Sequence, residues 1–205
     1  MSSQALAILG ISSAIVNATA FVPYIASILK GKTKPERSSW WVWSALMAVA
    51  VLAQLAIGAT WSVLFTAVFF VANIIVAILS VKYGYGKFGK HDIIAIVLTI
   101  VGLGLWWFTN NPVLALLITI AVDFMAYWLT IVKAWKAPYS ENLLSWSLMT
   151  VAAILSVVSV GELDPAKIAF PLYVTAVSGF GVYILHKRRA WRAERIKKGI
   201  RKNKK

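Results

Sequence analysis

One acidic residue, Asp123, lies near the middle of the long apolar stretch Val113–Val132. An ionised carboxylate in a bilayer core costs at least a few kcal/mol, so it normally faces a wet cavity or a partner. At helical spacing, Thr119, Tyr127 and Thr130 fall on the same face as Asp123. The stripe therefore predicts an inward-facing surface on which Asp123 exchanges a proton or contacts a cationic group of a solute.

Polar residues recur at similar depths in three other apolar stretches, and together they predict a solute site near the membrane midplane. The expected substrate-binding residues are Asn17, Tyr24, Asn73, Asp123, Tyr127 and Ser178. The alternative is that such side chains only join neighbouring helices, at about 1 kcal/mol each. For Asn17 the two interpretations have equal weight, whereas Asn73 and Asp123 favour a site.

Seven apolar stretches must position these residues. They are Leu6–Leu29, Trp41–Gly58, Ser62–Val81, Ile93–Phe108, Val113–Val132, Leu143–Val160 and Ile168–Leu185. A bilayer core of ~30 Å needs about 17–25 apolar helical residues, and the fourth stretch is the shortest. With 60% hydrophobic residues, 14% charged residues and ten Trp, the composition excludes an ordinary soluble domain. The predicted fold class is an all-α membrane protein with seven transmembrane helices.

The cations are distributed unevenly between the two sides of these spans. All but one of the 21 Lys and Arg residues lie in alternate connections or in the C-terminal tail, and Lys167 is the exception. The positive-inside bias therefore predicts an external N-terminus, a cytoplasmic C-terminus and an odd number of spans in the plasma or inner membrane. No Lys or Arg precedes the first span, so we expect a retained span rather than a cleaved signal peptide.

An internal repeat appears when the sequence is shifted by 103 residues. The coinciding pairs are Phe21 and Phe124, Tyr24 and Tyr127, Lys30 and Lys133, Pro35 and Pro138, Trp43 and Trp146, and Gly58 and Gly161. They predict two parallel three-helix repeats joined by a linker helix, since the extra span restores the orientation. The expected division is 1–81, 82–111, 112–186 and a basic cytoplasmic tail, 187–205.

This order of three, one and three helices resembles the SWEET and PQ-loop superfamily of small-solute transporters, over about residues 8–187. Pro23-Tyr24 and Ala126-Tyr127 stand where that family often has Pro-Gln. The resemblance implies alternating-access transport, with Asn73 matching the family's binding Asn and Asp123 similar to the acidic residue that couples some members to protons. Sugar-transporting members carry further helix prolines that this chain lacks. Nicotinamide riboside transporters share the fold and its Trp-rich character.

Three residues are expected at an inner gate: Pro23, Trp43 and Trp146. The two Trp recur at equivalent places in the repeats, so they either close the inner end or brace the repeat interface. Most other Trp residues read as interfacial anchors.

Enzymatic chemistry is not expected, and neither is a metal or another cofactor. The chain has no Cys and only two distant His, and no nucleophile with a base is evident. A retinal photoreceptor would need a Lys in the middle of the last span, whereas Lys167 lies at its edge.

The expected partners are a small solute and, at the basic tail, anionic lipid headgroups. Nucleic acid is not expected, homo-oligomerisation is left open, and the rival function is a non-transporting receptor or assembly module.

Overall fold

The computed structural model describes residues 1–85, 89, 93, 97, 100, 101, 104, 108 and 111–202. Six α-helices have both ends within these residues, and no β-strand lies among them. The helices are α1 (Ser3–Leu29), α2 (Arg37–Ala56), α3 (Val63–Tyr83), α4 (Pro112–Lys136), α5 (Leu143–Ser159) and α6 (Pro165–Lys202), and a 3₁₀ turn at Pro138–Ser140 precedes α5. The prediction of an all-α protein is therefore confirmed.

Five of these helices are long and apolar enough to cross a membrane, and α5 is a shorter apolar helix. The chain is therefore a membrane-embedded helical protein. Six of the seven predicted spans coincide with helices. The fourth, Ile93–Phe108, falls largely outside the described residues, as does most of the predicted linker region 82–111.

Helix α6 does not end at Leu185, where the apolar stretch ends. It continues as one helix to Lys202 and so crosses the boundary predicted at the start of the basic tail. Lys and Arg have high helix propensity, and no Pro lies between Lys187 and Lys202 to interrupt the backbone. As far as Lys202, the tail is therefore a continuation of the last helix.

Local sequence signals explain where most of the helices begin and end. The side chains of Ser2, Asn111 and Asn142 each accept a hydrogen bond from a backbone N–H in the first turn of α1, α4 and α5. Gly58 and Gly161 follow the ends of α2 and α5, and both have φ of 76°. Glycine adopts this left-handed conformation without steric cost, so both helices turn sharply at equivalent positions.

Helices α1–α3 are here called the first half, and helices α4–α6 the second half. Within the first half, α3 contacts both α1 and α2, and within the second half α6 contacts both α4 and α5. Between the halves, α1 packs against α5 and α2 packs against α4. These contacts close into a ring in the order α1, α3, α2, α4, α6, α5.

One end of the ring, here called the basic end, brings together the α1–α2 connection, the α4–α5 connection and the basic C-terminal extension of α6. The backbone N–H of Lys34 donates to the Ser140 carbonyl at 3.3 Å, which joins the two connections. The Arg189 Nε donates to the Pro138 carbonyl at 3.0 Å, which joins α6 to them. Arg188 stacks on both Trp135 and Trp191, with its guanidinium 4.3 Å and 4.4 Å from the ring centres.

Candidate functional site

Asp123 on α4 is buried, with 7% of its surface exposed. Its carboxylate accepts a hydrogen bond from the Tyr173 hydroxyl on α6 at 2.5 Å. No Lys, Arg or His side chain forms an ion pair with it among the described residues. One neutral hydroxyl cannot offset the cost of a buried charge, so the site suits a proton or a cationic group.

The polar stripe of α4 faces the interior, because all four of its members are buried. Three of them bond to other helices, and the bond of Asp123 to Tyr173 is one of these. The Tyr127 hydroxyl donates to the Val177 carbonyl on α6, and the Thr130 hydroxyl donates to Ser39 on α2 at 3.3 Å. The stripe therefore joins α4 to its neighbours, with Asp123 and Tyr127 bonded to α6 and Thr130 bonded to α2.

Asn73, in the middle of α3, is fully buried. Neither its amide nitrogen nor its amide oxygen has a hydrogen-bond partner within the described part of the chain. An unsatisfied buried polar group costs about 1–3 kcal/mol, so such an amide suits a site that a polar ligand completes. Asn73 belongs to the first half and Asp123 to the second, so each half contributes one strongly polar group at mid-depth.

Unlike Asn73, Asn17 and Ser178 each form a hydrogen bond to a neighbouring helix. The Asn17 amide nitrogen donates to the Phe65 carbonyl at 3.1 Å, and its oxygen has no partner among the described groups. The Ser178 hydroxyl donates to the Val174 carbonyl at 2.7 Å and accepts from Thr150 at 3.1 Å. The first bond of Ser178 lies within α6 and the second joins α6 to α5, whereas the Asn17 oxygen is left without a described partner.

The two gate tryptophans differ in their surroundings. The Trp146 indole N–H donates to the Glu141 carboxylate at 3.1 Å, and its ring packs edge-on against Tyr127. The Trp43 indole N–H has no partner in the described residues, and its ring packs edge-on against Trp40 with 5.1 Å between centroids. Repeat-equivalent positions therefore do not imply equivalent contacts.

Tyr24 and Pro23 lie at the contact between the halves rather than at mid-depth. The Tyr24 hydroxyl donates to the Glu141 carboxylate at 3.1 Å, and the Pro23 carbonyl accepts from the Asn142 amide at 3.2 Å. Pro23 is inside α1 and cannot donate a helical hydrogen bond, so α1 lacks one rung there.

The bond between Asn142 and Pro23 has a counterpart in the other half. The Ser39 hydroxyl, at the start of α2, donates to the Ala126 carbonyl on α4 at 2.9 Å. Ser39 and Asn142 are 103 residues apart, and so are Pro23 and Ala126. The halves therefore exchange equivalent hydrogen bonds at the basic end.

The sequence did not point to the ion pair between Lys133 and Glu141. Their side chains are 2% and 1% exposed, and the Lys133 ammonium also donates to the Lys34 carbonyl at 2.7 Å. A charge count places Lys133 among the loop cations that predict the topology. The signal that could have distinguished it is Glu141, an isolated acid in an otherwise basic connection.

Metal-binding groups and surface grooves are two further kinds of site to consider in the described part of the chain. Among the described residues, no three His, Asp or Glu side chains could hold a metal ion together. A groove of about 680 Å³ lies between α1 and α3, and a smaller one of about 300 Å³ lies between α4 and α6. Both are lined almost entirely by apolar side chains, which suits lipid chains rather than a polar solute.

No family model matches the chain, and no curated protein or solved structure matches it either. Function is therefore inferred from the chain's own residues and contacts.

Proposed function

We propose that this protein is a membrane transporter that moves a small polar solute by alternating access, on a fold of the SWEET and PQ-loop type. The observation that carries the proposal is the pair of buried groups at mid-depth, the Asn73 amide and the Asp123 carboxylate. A permanent structural role would leave an unpaired amide and an uncompensated charge in the bundle. A solute that binds between the halves satisfies both groups.

Parallel repeats are supported by the packing of the helices. The third helix of each half lies between the first and second, and the first helix of each half packs against the second helix of the other. The exchanged bonds of Ser39 and Asn142 follow the same relation. In transporters built from repeats, the solute lies at the interface of the repeats and the halves rock about it.

The roles assigned to the two mid-depth groups are different. The Asn73 amide offers two N–H donors and one carbonyl acceptor, which suit a hydroxyl or amide on the solute. Asp123 binds either a proton, which couples uptake to a pH gradient, or a cationic group of the solute itself. Asn17 offers a further acceptor on α1. Sugars, amino acids and vitamin-like solutes all meet these requirements.

A ligand screen by thermal shift tests binding. Purified protein is heated with sugars, amino acids and vitamins, and we expect one class to raise the melting temperature, because a ligand that binds the folded state stabilises it. Asn73→Ala should weaken that ligand's affinity roughly 5- to 150-fold, the effect of about 1–3 kcal/mol. The variant should fold almost as well as the parent. Unchanged affinity with a large fall in melting temperature would show that Asn73 is structural packing.

The basic end is assigned to the cytoplasm, with the N-terminus outside, in the plasma or inner membrane. Single-Cys labelling is clean because the chain has no native Cys. We expect an impermeant thiol reagent in intact cells to label Glu162→Cys and to miss Lys34→Cys and Lys136→Cys, all three being exposed positions. Labelling of position 34 or 136 in sealed cells reverses the topology.

A further inference from the structure

The contacts that join the two halves differ between the ends of the bundle. Away from the basic end, the described bonds between halves run from a hydroxyl to a backbone carbonyl: Ser13 to Ala152 at 2.7 Å and Ser156 to Ser62 at 3.3 Å. At the basic end, charged side chains bridge the halves as well. The basic end is therefore held together by charged side chains in addition to bonds between hydroxyls and carbonyls.

Glu141 is the centre of the charged contacts. One of its carboxylate oxygens accepts from the Tyr24 hydroxyl, in the first half, and from the Trp146 indole N–H, in the second half. The other oxygen pairs with the Lys133 ammonium. Lys133 in turn donates to the Lys34 carbonyl, in the first half. Both members of the ion pair belong to the second half, and each of them bonds to a group in the first half.

This arrangement suits a contact that is made and broken. With both side chains almost fully buried, separating the pair inside the protein would leave two unpaired charges, which is strongly unfavourable. The pair therefore stays intact within the second half when the halves part at the basic end, and water replaces only the bonds to Tyr24 and Lys34. These two bonds favour the closed end without preventing its opening into water.

We propose that Glu141 is an ionic lock that holds the halves together at the basic end, and that its bonds to Tyr24 and, through Lys133, to Lys34 break each time this end opens. The proposal rests on the transporter function proposed above. It assigns to Glu141 the inner-gate role that the repeat pattern suggested for Trp43 and Trp146. Trp146 positions the carboxylate, and Trp43 makes no described contact with it.

The test measures opening directly, without any solute. Asn73→Cys, in a chain with no other Cys, reports access to mid-depth from the basic end in vesicles that expose this end to an impermeant thiol reagent. Tyr24→Phe in this background removes the hydroxyl that crosses the halves and keeps the ion pair. We expect labelling to become at least roughly tenfold faster, the smallest factor that loss of a hydrogen bond to a charged group produces.

Tyr139→Phe is the matched control. It removes a hydroxyl at the same end, whose bond to the Arg189 carbonyl at 3.4 Å stays within the second half. We expect no change in labelling for this variant, and an equal increase in both variants would overturn the proposal.

Glu141→Gln provides a second variant that keeps the shape of the side chain and removes its charge. It should accelerate labelling from the basic end more than Tyr24→Phe does. Unchanged labelling in Tyr24→Phe overturns the lock even if solute transport is established, and if Glu141→Gln fails to fold, Tyr24→Phe alone decides. If labelling accelerates but the protein moves no solute, the ionic lock is supported and the proposed transporter function is overturned.

Discussion

Asp123→Asn is expected to abolish proton-driven accumulation of solute, or binding of a cationic solute, without weakening the fold. Asparagine keeps the shape of the side chain and still accepts the hydrogen bond from Tyr173. It removes the charge, and with it a desolvation penalty of up to about 3 kcal/mol at the centre of a membrane helix. The free energy of unfolding should therefore stay equal or rise.

The measurement is uptake with and without a pH gradient, together with the melting temperature. Tyr173→Phe is the companion variant, because it removes the partner of Asp123 but no charge, and it should retain coupled uptake. If Asp123→Asn transports normally under both conditions, Asp123 is not the coupling site. The protein would then be a passive facilitator whose carboxylate lies in a wet cavity.

Removing one partner of the Lys133–Glu141 pair is expected to destabilise the protein by about 3–5 kcal/mol, because the remaining charge stays buried without a partner. Lys133→Met and Glu141→Gln should each show this loss in denaturant or thermal unfolding. The double variant should lose less than the sum of the two, since residues in direct contact are not additive.

The exposed pair at the opposite end supplies the control. Lys167 and Glu162 are 2.6 Å apart, with side chains 23% and 56% exposed. Glu162→Gln should change the free energy of unfolding by no more than about 1 kcal/mol, as for other surface ion pairs. Equal losses at the two sites would show that the burial of Lys133 and Glu141 contributes nothing to their interaction.

The sequence predicted the helices well because apolar stretches of sufficient length have few alternatives in a membrane. It also predicted the buried face of α4, since Asp123 and its neighbours recur at helical spacing. Both signals depend only on local sequence, so they can be recognised without knowing how the helices pack. The extent of α6 was missed because hydropathy marks the end of an apolar stretch, whereas backbone hydrogen bonding continues through the basic residues to Lys202.

The partners of the polar residues could not be predicted, because they depend on the rotation and depth of helices far apart in the chain. Tyr173 lies 50 residues from Asp123, and nothing in their local sequences pairs them. Lys133 is separated from Glu141 by the turn at Pro138–Ser140, which brings Glu141 back toward α4. A charge count treats Lys133 as a solvated loop residue, and only packing shows that it is buried.

The measurement that tests the transporter most directly is solute counterflow in proteoliposomes. Vesicles are loaded with the unlabelled solute that most raises the melting temperature, and the entry of external labelled solute is followed over time. We expect a transient accumulation of labelled solute that is absent from protein-free liposomes, because an alternating-access protein exchanges solute across the membrane. Binding of the solute without any such accumulation would contradict transport and identify the protein as a receptor or assembly module.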